Sequence, residues 1–153
     1  MIIAVDPGIE GAIAYSLTGD FTHMKAVKMP GDRVDLLELF INWKPKDPHV
    51  YIEQQQIRHS DVKTGGVFRL VDRLIRNYHD ILFCCESLGI KHTIIPAKLW
   101  QKKYVLPKEY GKKKSALGHI AKRKYPGLKT TLVTCDAVLI LEYGIVMKSY
   151  ENI

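Results

Sequence analysis

Cysteine is scarce in this chain and poorly placed for cross-links or metal. The 153 residues contain three, Cys84, Cys85 and Cys135. Two are adjacent, the count is odd, and none belongs to a Cys-x-x-Cys or Cys/His ligand spacing. This argues against a disulfide framework and a structural zinc, and predicts three reduced thiols in a cytosol-like compartment. Long hydrophobic runs are missing as well. The apolar stretch at the N-terminus is too short for a signal peptide and meets Asp6 almost at once. No segment is long enough to span a bilayer, so no membrane partner and a cytoplasmic location are expected. Repeats and low-complexity tracts are absent, and acids nearly vanish from one part of the chain: between Lys98 and Lys129, Glu109 is the only one.

What is present is ordinary in amount and uneven in distribution. The composition, 46% hydrophobic and 25% charged, is that of a soluble globular protein. The length predicts a single domain over 1–153 with one substantial core. The formal charge is +7. The basic residues crowd into the segment that lacks acids, and a field of one sign suits a phosphate backbone. Taken alone, it also fits a solvated face of a basic protein.

Periodicity divides the chain into ten elements. Residues 2–6 read as a strand buried on both faces, followed by a turn at "PGIEG". Residues 11–17 and about 21–28 read as two further strands joined by "TGD", which makes a three-stranded antiparallel meander. "DRVDLLELFINW" predicts a helix capped by Asp32, with Val34, Leu37, Phe40 and Ile41 on one face. "HVYIEQ" is a fourth strand ending in Glu53, and "QQIRHSDVKTGG" a polar loop. Residues 67–88 form the longest helix, with a stripe of Phe68, Val71, Leu74, Ile75, Tyr78, Leu82, Cys85 and Leu88. "KHTIIP" is a fifth strand. Three helices follow: "AKLWQKKYV", residues 115–125, and a last one beginning near Cys135. The fourth and fifth strands are each reached through a helix, so both should run parallel to the first. The expected product is an α/β fold: a mixed five-stranded sheet, three strands antiparallel and two parallel, flanked by helices. That is the ribonuclease H-like layout.

Three carboxylates stand at element ends: Asp6, Glu53 and Asp136. If the first and fourth strands are parallel neighbours, Asp6 and Glu53 open onto one sheet edge, and a helix packed there can present Asp136 from its first turn. Converging carboxylates repel unless a cation lies between them. Hard ions such as Mg²⁺ prefer such oxygens, and two ions can clamp the attacking and leaving oxygens of a phosphodiester. Each acid also has a bland reading: a turn former for Asp6, an ion-pair partner for Glu53, a helix-dipole charge for Asp136. The small residues Gly11, Ala12 and Ala14 are expected to leave room for neighbouring backbone and for a phosphate.

The segments "IIAVDPGIEGAIA", "YIEQQ", "TGGVFRL", "IIPAKLWQK", "KKKSALGHIAKRKYPG" and "CDAVLILEYG" occur in an order that resembles RuvC-like Holliday-junction resolvases, nearest to the phage and chloroplast branch, across nearly the whole chain. The opening "DPG…GAIA" is also found in sugar-kinase and actin-like ATPases. However, 153 residues leave little room for their nucleotide domain, so no nucleotide cofactor is expected. The resemblance implies a homodimer that cuts two opposing strands of a four-way DNA junction using Mg²⁺ or Mn²⁺, with two ions per site. Asp6, Glu53 and Asp136 would be catalytic metal ligands, and no covalent intermediate would form. For a phage-encoded member the compartment would be the host cytoplasm. The DNA-facing residues would be Gln55, Gln56, Arg58, Gly65 and Gly66 in the loop after Glu53, together with Lys98, Lys112, Lys113, Lys114 and Ser115. Lys112 or Lys114 could also stabilise the pentavalent phosphate. Trp100 reads as core rather than as a stacking platform.

One departure matters. The family usually carries a fourth acid or a His three or four residues before the last carboxylate; here those positions are Val133 and Leu132. His59, Asp61, His119 and Glu142 are substitutes between which the sequence does not choose. A weakly held second ion, with reduced activity, a Mn²⁺ preference or a partner requirement, is the consequence expected. A branched-DNA binding module with weak or lost nuclease activity is the alternative.

Overall fold

Parity along the strands decides what lies on each side of the sheet. In β1 (Ile2–Asp6), Ile3 and Val5 join one buried cluster, and Ile2 and Ala4 join another. This is the two-residue period of a strand covered on both faces. β2 (Ala12–Ser16) repeats it, with Ala12 and Ala14 on one side and Ile13 on the other, and so does β4 (His49–Glu53), with Tyr51 opposed to Val50 and Ile52. β3 (Met24–Lys28) is an edge strand, and β5 (Lys91–Ile95) forms the opposite edge. The order is β3-β2-β1-β4-β5; β2 is antiparallel to β1 and β3, and β4 is parallel to β1 and β5. The expected mixed sheet and its strand directions are therefore those of the chain. This computed structural model describes residues 1–8, 10–55, 67–104 and 113–151, without the side chains of 67–70.

The second and third strands are shorter than the apolar pattern suggests, because side chains between them capture the backbone. Ser16 Oγ accepts the N–H groups of Gly19 and Asp20, and Asp20 Oδ1 accepts from Thr18 Oγ1 and from Thr22 N and Oγ1. Local bonds of this kind compete with ladder pairing.

α1 (Arg33–Trp43) starts where Asp32 accepts the Asp35 N–H at 2.9 Å. Its inward face differs from the expected one. Leu36, Phe40 and Trp43 are buried, at the i, i+4, i+7 spacing, while Val34 and Ile41 are exposed. The two stripes share Phe40 and differ by one step around the helix. Trp43, packed against Tyr15 and Phe40, is the largest side chain and sets the rotation. α2 (Val67–Ser87) buries Ile81, Cys84 and Cys85, with Tyr78, Leu82 and Leu88 packed beside them; Ile81 and Cys84 lie outside the stripe expected from sequence. α1 and α2 cover the Ile3–Val5 side of the sheet. α3 (Ala97–Gln101), α4 (Lys113–Lys124) and α5 (Cys135–Glu151) belong to the other side.

α5 lies close to the sheet because the residues beneath it are small. Ala4, Ala12 and Ala14 are fully buried there. A Cβ added to Gly144 would stand 2.5 Å from Tyr51 Cδ2, so the helix passes over the Tyr51 ring only as glycine. All three cysteines are buried and free. Among the described residues, no helix is long and apolar enough to cross a membrane.

Candidate active site

The parity that puts Ile2 and Ala4 under α5 puts Asp6 on that side too, and Tyr51 likewise brings Glu53. Both acids end parallel strands at the same edge of the sheet. Asp136 enters from the first turn of α5, which packs on β1 and β2. The chain leaves Asp6 through a tight turn: Asp6 Oδ1 accepts the Gly8 N–H at 3.0 Å, and the Gly11 N–H bonds Gly8 O at 2.8 Å. A Cβ on Gly11 would stand 2.3 Å from Asp6 O. The room expected at Gly11, Ala12 and Ala14 is thus used for neighbouring backbone: the turn closes on Gly11, and α5 lies on the two alanines.

The three carboxylates share one field. Burial holds the Asp6 carboxyl above its ordinary pKa, Asp136 adds to the shift, and Lys114 and the Gly8 N–H oppose it. Glu53 is pushed up to about 7, first by burial, then by Asp6, with a smaller push from Asp136. Trp100 works the other way: its Nε1–H donates to Glu53 Oε1 at 3.1 Å. Trp100 is wholly buried, as expected of a core residue, but its indole also aims Glu53, which the sequence did not reveal.

Lys114, expected to face DNA, stands over the acids. Its Nζ lies 2.5 Å from Asp136 Oδ2 and 3.9 Å from Asp6 Oδ2. Burial works against its charge, yet Asp136 carries its pKa above the ordinary lysine value. The donor set is three carboxylates, the oxygen chemistry that suits Mg²⁺ or Mn²⁺. In the present arrangement, no three Asp, Glu, His or Cys side chains among the described residues stand together in ligating position. An ammonium bridges two of the acids instead.

The other candidates disperse. Lys98 and Lys113 are exposed, Ser115 and Gln55 half-buried; Lys113 Nζ bonds Gln101 Oε1. Gln56, Arg58, His59, Asp61, Gly65, Gly66 and Lys112 lie outside the described residues. Glu142 is committed elsewhere. It is buried and accepts from Lys124 Nζ at 2.6 Å and Tyr125 OH at 2.9 Å, with Lys103 Nζ at 3.8 Å. His119 is on the exposed side of α4. Leu132 leans on α4, where a Cβ on Gly118 would stand 2.8 Å from its Cδ2. Val133 lines a cavity of about 280 Å³ beside Gly11, Lys28, Arg73 and Asn77, and Glu10 lines the same cavity. A larger cavity, about 840 Å³, lies between the start of α1 and α2. Its charges are largely spent on one another, in the Arg33–Asp80 and Arg76–Asp72 pairs, and none of the three carboxylates lines it.

No protein-family model matches the chain, and no curated protein does. Solved structures do. Thermus thermophilus RuvC in complex with Holliday junction substrate superposes with a TM-score of 0.59 at 14% identity, covering 97% of this chain and 96% of that one. A second Thermus thermophilus RuvC structure gives 0.57 at 15% identity, with the same coverage. The likeness covers nearly the whole chain and shows its fold: the mixed five-stranded, ribonuclease H-like sheet with flanking helices that RuvC has.

Proposed function

We propose that the chain is a RuvC-like, metal-dependent DNA endonuclease that resolves four-way junctions by paired symmetric cuts, acting as a homodimer in a reducing cytoplasm. The observation that carries this reading is the meeting of Asp6, Glu53 and Asp136 at one sheet edge under a single lysine. Support comes from the RuvC fold over nearly the full length and from the described lysines of the basic segment, Lys98, Lys113 and Lys114. A homodimer follows from the reaction, since two symmetric cuts need two sites related by a two-fold axis.

Asp6, Glu53 and Asp136 would hold Mg²⁺ or Mn²⁺, which supplies an activated water and charge stabilisation at the leaving 3′-oxygen. The protein's own share is positional. Trp100 fixes the Glu53 carboxylate, the turn N–H of Gly8 fixes Asp6, and α5 delivers Asp136. Lys114, Lys113 and Lys98 offer positive charge along the path a phosphate backbone would take to the acids.

The test is incubation of the protein with a synthetic four-way junction and Mg²⁺ or Mn²⁺. Paired nicks at symmetric positions are expected, and Asp6→Asn should abolish cutting while retaining junction binding. Binding without nicks in either metal supports the second reading, a branched-DNA binding module. That reading is favoured by a specific feature: Leu132 and Val133 stand where a fourth ligand is expected.

A further inference from the structure

Lys114 occupies an unusual place for a DNA-contacting lysine. Its ammonium points at the acids rather than outward, lying 2.5 Å from one carboxylate and 3.9 Å from a second on a different element. The side chain nonetheless keeps 45% of its surface exposed, so it reaches the acids from the solvent side and can leave by rotating its own four-carbon stem. The helix beneath it cannot easily move away. At its far end α4 is tied to α5 by Lys124 and Tyr125 on the buried Glu142, and its middle is packed through Ala116, Leu117, Ile120 and Ala121. One positive charge faces three carboxylates, which leaves the site short of cation. A divalent ion would answer that shortage better, but the ammonium stands between two of the ligands such an ion needs.

We infer that Lys114 is an exchangeable internal cation: it bridges Asp6 and Asp136 in the metal-free protein, and a divalent ion binds only by displacing it. This rests on the metal-site reading proposed above and adds to it a competition between side chain and metal. The exchange gives the free enzyme a stable resting arrangement without metal. It also sets an ammonium loose beside the acids at the moment the ion arrives, where it faces the incoming phosphate. The missing acid at Leu132 and Val133 fits the same logic. With fewer carboxylates on the ion, a single lysine competes on closer terms.

The experiment titrates Mn²⁺ alone into DNA-free protein and follows free Mn²⁺ by electron paramagnetic resonance. Lys114→Met should bind Mn²⁺ at least about tenfold tighter than the wild type. Lys114→Arg, which keeps the charge, should stay within about threefold. So should Lys122→Met, which makes the same charge change eight residues further along α4, about 12 Å away by helical rise. Thermal melting adds a readout that simple misfolding would not reproduce: without metal, Lys114→Met should melt below the wild type, and saturating Mn²⁺ should raise its melting point by more. Unchanged or weaker Mn²⁺ affinity in Lys114→Met overturns the proposal, as does an equal gain in Lys122→Met. If no variant binds Mn²⁺, the metal site and the exchange fall together. If the affinities follow the expected order but the wild type cuts no junction, the nuclease reading fails and the exchange stands.

Discussion

The two ends of the α4–α5 pair make the same kind of contact with opposite results. At the far end, one buried carboxylate, Glu142, meets two lysines and a tyrosine hydroxyl. At the near end, one lysine touches two carboxylates, and a third shares their field. The first is a satisfied network: the acid's charge is matched, and Tyr104 closes over Lys124 with its ring 5.6 Å from Nζ. The second is over-supplied with negative charge, which adds to the rise that burial already gives the pKa values of Asp6 and Glu53. A fold has no structural use for such an excess. The surplus at the near end is what the proposed site would draw on, and the far end is the clamp that steadies α4.

Removing an acid should therefore have opposite signs at the two ends. The largest loss of stability is expected at the clamp. Glu142→Leu leaves Tyr125 without its acceptor and Lys124 without its counter-charge. Because Lys124 is partly in water, the cost should be about 1–3 kcal/mol, read as a lower urea midpoint with the slope unchanged. A stability equal to the wild type would remove Glu142 from the clamp.

At the near end, Glu53→Gln should stabilise the metal-free protein at pH 7.5, by about 1–3 kcal/mol, with Trp100 still donating to the amide oxygen. The sign follows from the folded Glu53 pKa of about 7, raised from 4.5. Between those values the folded state holds a proton that the unfolded state has released. Stability thus falls as pH rises through that window, and the burden is complete above the folded pKa. In chelator, wild-type stability should decline from pH 5 to 7.5, and Glu53→Gln should flatten that decline. A wild-type curve that rises instead would contradict the shared field.

A smaller change should follow Trp100→Phe, which removes one hydrogen bond and trims a wholly buried ring. About 1 kcal/mol of stability is expected to be lost. The Glu53 titration, followed by carbon NMR of the labelled carboxyl, should move further upward. A downward move would mean that the indole does not hold Glu53.

Much of the fold was legible because its signals are local. The unbroken apolar run of residues 2–5 announced a strand covered on both sides, and a helix between consecutive strands required parallel pairing. Asp32 announced the start of α1 because a cap acts within one turn. What failed was what depends on packing. Val34 and Ile41 form as good a helical stripe as Leu36 and Trp43, and only the Tyr15 and Phe40 rings against Trp43 choose between them. Strand ends near Thr18 and Thr22 were overestimated because apolar content there yields to side-chain bonds made by Ser16 and Asp20.

The site divides in the same way. The sequence by itself determined that Asp6, Glu53 and Asp136 would sit at element ends, since turn residues and helix starts are written locally, and that the basic segment would lie nearby in the chain. Only the tertiary structure decided what those residues do to one another. It turned Lys114 inward, gave Glu53 its indole partner from another element, and spent Glu142 on a clamp six residues along the helix from Asp136. Each is an encounter between side chains far apart in sequence, whose energy depends on burial and on charges a few ångströms away, and neither quantity exists until the chain has folded.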